Sequence, residues 1–205
     1  MSPAIVHVMG WRSQQYASFE RFLVALSHRC DEHGAQTHLV FPAPPASLEF
    51  AADARAKVHA LPSARHPADP RFAVRLARLL RAVGATHVHA HYGTDAYHAV
   101  AVATALGMRR YATKHITPGT SRLTLSRTRH RWLATRVERL FAVSHGVAGG
   151  LAALGVPTDK LEVCYIGIDP DAYRPDPDAR ARVRRELGLP EGAAIVLSTS
   201  HLRPG

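Results

Sequence analysis

The chain has 205 residues, 46% apolar and 20% charged, which suffices for one buried domain plus part of a second and excludes a largely disordered chain. The formal net charge of +10 suits anionic partners such as lipid head groups or phosphorylated substrates, although an arginine-rich proteome explains it equally well. Cys30 and Cys164 form no disulfide framework, so we expect a cytoplasmic protein. No apolar run reaches the ~20 residues of a membrane span, so we expect any membrane contact to be peripheral, at the inner face of the membrane.

Short β-type runs alternate with helical patterns along the first part of the chain. Predicted strands cover residues 4–8, 37–41, 58–61, 86–90, 110–114, 140–143 and 161–165. Predicted helices cover residues 19–30, 70–83, 96–106, 121–139 and 147–154, each of the first three closed by a glycine. This alternation is typical of a parallel sheet with helices on both faces. We therefore expect an α/β fold, a Rossmann-like doubly wound parallel sheet, over residues 1–170.

The composition changes after this domain. Residues 169–178 read DPDAYRPDPD, and proline and aspartate in this density favour turns and caps over regular structure. A helical pattern follows over residues 179–187, and then a β-type run over residues 193–200. We interpret residues 171–190 as a linker and helix, and residues 191–205 as the first strand of a truncated second domain. The alternative is a terminal strand that joins the first sheet.

Ligands of open parallel sheets bind where the strands end, at their carboxyl edge. The residues that end or follow four predicted strands are small, polar or aromatic, and they are the candidate site residues: Gly10, Trp11, Arg12, His91, Tyr92, Asp95, Lys114, His115 and Ser144. Three of them have structural alternatives. Gly10 can form a simple turn, His115 can be a packing histidine, and Ser144 is well placed to cap the next helix, which is the role we favour for it.

Other chemistries find little support in the sequence. His87, His89 and His91 share one face of a strand, but no cysteine or acidic residue accompanies them at ligand spacing, so we expect no metal site. Residues 9–14 do not form the GxGxxG fingerprint, which disfavours a nicotinamide or flavin cofactor. The P-loop, the GxSxG elbow and the HExxH motif are also missing, and no aromatic–basic motif predicts a nucleic-acid partner.

The predicted helix over residues 121–139 is strongly basic and contains one acidic residue, Glu138. With Trp132 beside the arginines, such a helix can rest on an anionic membrane surface. The alternative is a solvated helix that packs Trp132 into the core. The arginines that would contact lipid are Arg122, Arg127, Arg129, Arg131 and Arg136.

Several segments in combination resemble glycosyltransferase family 4, whose members are retaining enzymes of the GT-B fold. The resemblance rests on THVHAHYGTDAYHAVAVATALG, on YATKH, and on ERLFAVSHGVAGGLAALGVPTDKLEVCYIGIDPDAYRP. SFERFLVAL is similar to the start of the first helix in that family, and LSTSHLRPG is similar to the opening of its donor-binding domain. The resemblance thus covers most of the chain.

The resemblance implies an enzyme of two domains, with an N-terminal acceptor-binding domain (GT-B N-terminal domain) and a C-terminal domain that binds a nucleotide sugar. It implies that His115 is the active-site histidine, that Gly10, Trp11 and Arg12 face the sugar and diphosphate, and that Arg203 contacts the donor phosphate. It implies no metal and no cofactor besides the nucleotide-sugar substrate. The acceptor would be lipid-linked, a glycan or a small molecule.

The sequence also departs from the family pattern. Ala17 and Ser18 replace a Gly-Gly pair, Ile166 replaces an asparagine, and His201 stands at the usual position of a donor-binding arginine. Cations stabilise a departing diphosphate, so we expect this acceptor-side half to be inactive without the missing donor domain. The alternative function is a non-catalytic binding module, or a split-enzyme subunit, that docks on a donor-domain partner or an anionic membrane.

Overall fold

The computed structural model describes residues 2–118, 123–190 and 192–197. The chain forms two compact units, residues 1–168 and residues 169–205. The first unit contains the whole sheet, and the second contains one α-helix. The predicted catalytic and cleft residues all lie in the first unit, whereas Arg203 lies outside the described residues.

Seven parallel strands form the sheet of the first unit in the order β3-β2-β1-β4-β5-β6-β7. The chain starts at the centre, adds two strands on one side, and then crosses to β4 and adds the other strands outward. This topology confirms the predicted Rossmann-like doubly wound fold. The strands are β1 (Ala4–Val8), β2 (Gln36–Phe41), β3 (Ala56–Ala60), β4 (His87–Ala90), β5 (Arg109–Lys114), β6 (Arg139–Ala142) and β7 (Leu161–Val163).

Six α-helices connect the strands. Asp69 caps α3 as predicted, because its carboxylate accepts the N–H groups of Arg71 and Phe72. The hydrogen bond from the Arg65 N–H, together with these two bonds, lowers the pKa of Asp69. The six-residue helix α2 was not predicted, since one and a half turns carry too little periodicity. The helices are α1 (Ser18–Glu32), α2 (Leu48–Asp53), α3 (Pro70–Ala82), α4 (Gly93–Ala105), α5 (Leu123–Arg136) and α6 (His145–Ala153).

Two apolar cores lie on opposite faces of the sheet. On one face, α3, α4, α5 and α6 bury residues such as Leu80, Ala99 and Leu133 against β4 and its neighbours. On the other face, α1 and α2 bury Leu23 and Phe50 against the ends of β1 and β2. A cavity of about 390 Å³ separates α1 from the part of this second face that β4, β5 and β6 form. We call it the α1-side cavity.

Two helix boundaries differ from the prediction by three residues, and one is the start of α4, at Gly93 instead of residue 96. The basic helix α5 ends at Arg136 instead of Arg139, because the Glu138 N–H donates to Arg110 O at 2.8 Å and the chain has then joined the sheet. The start of the predicted helix, residues 121 and 122, lies outside the described residues. Predicted and observed strands agree to within two residues at both ends for all seven strands, β1 to β7.

The second unit begins with a 3-10 helix over Pro170–Tyr173 and continues with α7 (Pro177–Glu186), which Asp176 caps. Arg184 is buried and donates to Pro190 O and, at 2.9 Å, to Ala193 O. Residues 193–197 form no strand, and residues 198–200 of the predicted strand lie outside the described part of the chain. The buried arginine holds Pro190 and Ala193 against α7 instead.

Candidate functional site

The loops after β1 and β4 touch at the carboxyl edge of the sheet. Gly10 follows β1, and a Cβ atom at this position would lie 1.7 Å from Tyr92 O. A side chain is therefore impossible here without moving one of the two backbones. Gly93 supports the contact with a φ of +70°, a conformation that glycine adopts without strain. Close backbone approach, more than a simple turn, explains the glycine at position 10.

Aromatic rings and a buried carboxylate hold the loop after β1. The Trp11 ring lies 5.0 Å from Phe19 and 5.2 Å from Tyr92, centroid to centroid. Ser13 Oγ donates to a Glu20 carboxylate oxygen at 2.7 Å, and the second oxygen accepts the Ala17 N–H at 3.3 Å. Glu20 thus satisfies the start of α1 where the capping residue is an alanine. Arg12 lies on the exposed side of this loop.

His115 lies against the same two loops. Its ring stacks on Tyr92 with centroids 4.1 Å apart, and Phe19 meets it edge-on at 5.0 Å. Burial, reinforced by the charge of Lys114, lowers the pKa of His115 to about 4, so the imidazole is neutral at pH 7. Its Nδ1 is buried and has no hydrogen-bond partner among the described residues. A neutral imidazole with a free nitrogen can accept or donate one further hydrogen bond.

Further histidines connect His115 to the interior of the sheet face. The His115 Nε2 lies 3.1 Å from His91 Nδ1, and the His91 Nε2 lies 3.3 Å from His7 Nδ1. His89 lies beside them, with its Nε2 2.7 Å from Thr113 Oγ1. Sequence reasoning identified His89 and His91 but missed His7, which comes from β1. In the sequence, His7 is only a histidine in the middle of a predicted strand. The strand register, which the sequence does not show, places it beside His89.

Lys114 belongs to the opposite face of the sheet. Its Nζ donates to Tyr97 Oη at 3.4 Å and lies 5.0 Å from the Tyr97 ring, while the Arg129 guanidinium lies 4.6 Å from the same ring. Burial and the charge of Arg129 lower the pKa of Lys114 to about 8. These groups and His130 line a cavity of about 360 Å³, which we call the α5-side cavity.

Two other predicted site residues bond to the backbone. Asp95 is 4% exposed and accepts the Ala64 N–H at 3.0 Å, which ties the segment before α3 to α4. Ser144 accepts the Val147 N–H at 3.2 Å and caps α6, the role that the sequence favoured. The structure therefore brings together Gly10, Trp11, His91, Tyr92 and His115, and it gives Lys114, Asp95 and Ser144 other neighbours.

The arginines of α5 divide between two sides of the helix. Arg129 is half-buried on Tyr97, and Arg136 lies 4.7 Å over the Trp132 ring. Arg127 and Arg131 are exposed and one turn apart. Trp132 packs against the core, as the alternative of a solvated helix expected. Arg122 lies outside the described residues, and none of the described helices is long and apolar enough to cross a membrane.

Comparison with known sequences assigns the chain to a family. The sequence model described as Glycosyltransferase Family 4 matches residues 19–172, which include the strand exits of β4, β5 and β6. This chain belongs to glycosyltransferase family 4. A segment of 78 residues is 35% identical to the GDP-mannose-dependent alpha-(1-6)-phosphatidylinositol monomannoside mannosyltransferase of Mycolicibacterium smegmatis. That segment covers 38% of this chain and 20% of the mannosyltransferase.

Solved structures share the fold of this family 4 chain. A glycosyltransferase from Rickettsia africae superposes with a TM-score of 0.70 at 13% identity, over 93% of this chain and 51% of the other. The Anabaena protein HepE, in complex with UDP and glucose, superposes with a TM-score of 0.64 at 14% identity, over 90% of this chain and 50% of the other. The chain thus spans about half the length of these proteins.

Proposed function

We propose that this family 4 chain is the acceptor-side half of an enzyme that transfers a sugar from a nucleotide-sugar donor to an acceptor, with retention at the anomeric carbon. A donor-binding domain completes the active site. The observation that carries the proposal is the convergence of the exits of β1, β4 and β5 on His115, at the carboxyl edge of a doubly wound sheet. The loop at Gly10, the Tyr92 ring and His115 would form the floor of the cleft.

The protonation state of His115 limits its role. A neutral imidazole can form a hydrogen bond with a sugar hydroxyl or a phosphate oxygen, but it supplies no positive charge to a departing diphosphate. Lys114 cannot replace that charge, since its Nζ lies against Tyr97 on the other face. Arg12 is the exposed cation of the β1 exit, and Arg203 remains the predicted donor-phosphate contact. Within the part of the chain that the structure describes, this shortage of cations beside His115 supports the proposal that the chain alone does not turn over.

Two similar proteins suggest which donors to test. The Mycolicibacterium relative is named as GDP-mannose-dependent, and the Anabaena structure contains UDP and glucose. We propose a nucleotide-sugar donor of this class, with GDP-mannose and UDP-glucose as the first candidates. The enzyme would need no further cofactor.

The α5-side cavity supports an anionic acceptor. Lys114 and Arg129 carry the charge of this cavity, burial and the charge of Arg129 lower the pKa of Lys114, and no carboxylate is among the described residues that line it. A phosphate or carboxylate of a lipid-linked, glycan or small-molecule acceptor would provide that partner. We place the enzyme in the cytoplasm, at the inner face of the membrane if its acceptor is a lipid.

The test is a sugar-transfer assay on the complete natural gene product and on residues 1–205 alone. We expect the complete product to transfer sugar from one of the two donors, with the anomeric configuration retained in the NMR spectrum of the product. We expect His115→Ala to lower kcat/KM by about a hundredfold or more, and the exposed-site variant His33→Ala to have no effect. Turnover by residues 1–205 alone, an inverted product or full activity of His115→Ala would each contradict part of the proposal.

A second candidate is a non-catalytic module that docks on a donor-domain partner or an anionic membrane. The exposed pair Arg127 and Arg131 favours it, because two arginines one turn apart extend the positive surface of α5. This candidate predicts that the complete product binds lipid vesicles or a partner protein but transfers no sugar.

A further inference from the structure

We propose that His7, His89 and His91 form a binding site for one divalent transition-metal ion of the zinc type. The site lies on the sheet face that borders the α1-side cavity, one step deeper than the cleft around His115. Binding of the ion requires neither the donor phosphate nor the proposed sugar transfer. It departs from the sequence-based expectation of no metal site, which rested on the H-x-H pattern of β4 alone.

Strand pairing brings the three imidazoles together. β1 and β4 are parallel neighbours, and His7 is the register partner of His89, so these two side chains stand side by side on one face. His91 follows His89 by two residues and shares that face. The ring centroids of His89 and His91 are 4.4 Å apart, and those of His7 and His89 are 5.2 Å apart. Two of the three potential ligands therefore come from paired strands, and the third is the residue directly after β4, whose N–H still donates to Val8 O at 3.0 Å.

The distances are close to those of a metal site. One nitrogen from each histidine can be chosen so that all three lie within 4.8 Å of one another. The His7 Nδ1 and His91 Nε2 are already 3.3 Å apart, and two nitrogens bound to tetrahedral zinc at about 2.0–2.1 Å are separated by about the same distance. The other separations among the three nitrogens reach up to 4.8 Å, so small movements of the strands and rings would bring His89 into range when the ion binds.

The surroundings favour neutral imidazoles, which are the form that binds metal. Burial lowers the pKa of His7 to about 4 and holds the pKa values of His89 and His91 well below the usual range. No lysine, arginine, aspartate or glutamate is among the described residues that line the cavity. The cavity does contain the side chains of Cys30 and Cys164. Imidazole and thiol groups without carboxylates select zinc-type ions over magnesium or calcium.

The second nitrogens of two histidines have partners that would orient the rings. The His89 Nε2 can donate to Thr113 Oγ1 at 2.7 Å, which leaves its Nδ1 for the ion. The His91 Nδ1 can donate to His115 Nε2 at 3.1 Å, which leaves its Nε2 for the ion. The α1-side cavity, about 390 Å³, leaves room for water or a thiol at the fourth position. The ion would also fix the tautomer of His115, whose proton would then sit on Nδ1.

The competing interpretation is a purely hydrogen-bonded histidine cluster. It accounts for the bond between His7 and His91, and in both interpretations His7 Nε2 stays buried without a partner among the described residues. The two interpretations differ in whether the three imidazoles bind an ion, which a metal titration measures directly.

The first experiment is a titration of chelator-stripped full-length chain with Co²⁺, followed by competition with Zn²⁺. We expect about one ion per chain and the strong visible absorption of four-coordinate Co²⁺, which Zn²⁺ abolishes. The variants His7→Gln and His89→Gln should each weaken binding at least tenfold. The matched control is His59→Gln. His38 and His59 form a similar pair, Nδ1 to Nε2 3.0 Å, but no third ligand completes it among the described residues.

A second measurement does not depend on the variants folding. X-ray absorption of the Zn²⁺-loaded wild-type chain should show at least three nitrogen or sulfur ligands, with imidazole scattering. The proposal is overturned by a pale, six-coordinate Co²⁺ spectrum, by equal weakening in His59→Gln, or by fewer than two imidazoles around zinc. Weak binding that His7→Gln and His89→Gln leave unchanged would assign the ion to exposed histidines and would also overturn it.

Discussion

Lys114 and His115 are neighbours in the chain but belong to two different environments. His115 lies on the α1 side of the sheet among Phe19, Tyr92 and His91, where burial keeps the imidazole neutral. Lys114 lies on the α5 side with Tyr97 and Arg129, where two cations share one aromatic ring. The alternation of side chains at the end of β5 separates the two groups.

The comparison shows that one strand end can supply two kinds of chemistry. The α1 side offers hydrogen bonds and metal-type ligands without charge. The α5 side offers positive charge, and burial together with the charge of Arg129 lowers the pKa of Lys114 there. We therefore expect neutral sugar groups to contact the first region and anionic groups to bind in the second.

The largest expected effect comes from the loop contact beside the α1-side region. In Gly10→Ala, the new Cβ would overlap Tyr92 O, so the β1 and β4 exits must separate and Tyr92 must leave His115. We expect a loss of at least about 3 kcal/mol in the free energy of unfolding, measured by urea denaturation. Gly149→Ala is the control, because nothing lies within 4 Å of its added Cβ and alanine favours the helix α6. Equal stability of the two variants would refute the close approach.

The second prediction concerns the charge of the α5-side region. The pKa of Lys114 is about 8 in the folded chain against 10.5 for the free side chain, so the folded state binds fewer protons between these pH values. The free energy of unfolding should then rise with pH across this window and be lowest below pH 8. Lys114→Met should remove the slope and stabilise the chain at pH 7 by up to about 3 kcal/mol.

Urea titrations at pH 7.5–9.5 measure this slope. This pH range lies below the usual pKa of tyrosine, about 10, and burial raises the pKa of Tyr92 further, to about 12. Lys57→Met removes an exposed lysine of β3 and should keep the wild-type slope. If Lys114→Met kept the slope, the ammonium would not be the destabilised group. If inorganic phosphate stabilised the wild type but not Lys114→Met, the α5-side cavity would be an anion site.

The third prediction separates Ser144 from both regions. Ser144→Ala should cost about 1 kcal/mol, because the Val147 N–H at the start of α6 loses its acceptor, and Ser144→Asp should retain the stability. Both variants should keep the activity of the complete product if the serine acts only as a cap. A drop in kcat with unchanged stability in Ser144→Asp would return this residue to the active site.

The smallest expected effect on stability concerns the outer side of α5. Replacing both Arg127 and Arg131 by glutamine should leave unfolding unchanged but weaken co-sedimentation with anionic vesicles by about 30-fold at low salt. The control replaces Arg75 and Arg78, two exposed arginines of α3, and makes the same change in net charge. Equal weakening by both double variants would mean that only the net charge matters and that α5 has no special role.

Much of the fold could be predicted because its signals are local. The helix cap at Asp69 and the closing glycines at Gly34 and Gly84 were readable from single positions, and the last two have φ values of +71° and +63°. α2 escaped because it is short and its cap, Ser47, lies in a proline-rich segment. The predicted strand over residues 193–200 relied on β-branched composition, which is a weak guide where no neighbouring strand is available.

The candidate site was only partly predictable. The strand exits identified His91, Tyr92 and His115 correctly as neighbours, since parallel strands end at one edge. The same rule grouped Asp95 with them, although its carboxylate accepts the Ala64 N–H from the segment before α3. Position along the chain gives the edge of the sheet on which a residue lies, but it does not give the backbone group that the side chain will bond.

The sequence by itself determined the alternation of strands and helices, the helix ends and hence the doubly wound fold, because these follow from side-chain periodicity and the conformational limits of a few residues. Only the tertiary structure decided that His7 lies beside His89 and His91, that Gly10 touches Tyr92, and that Lys114 and Arg129 both lie against the Tyr97 ring. The physical reason is that register and packing join residues distant in the chain, and such contacts leave no periodic trace in the sequence.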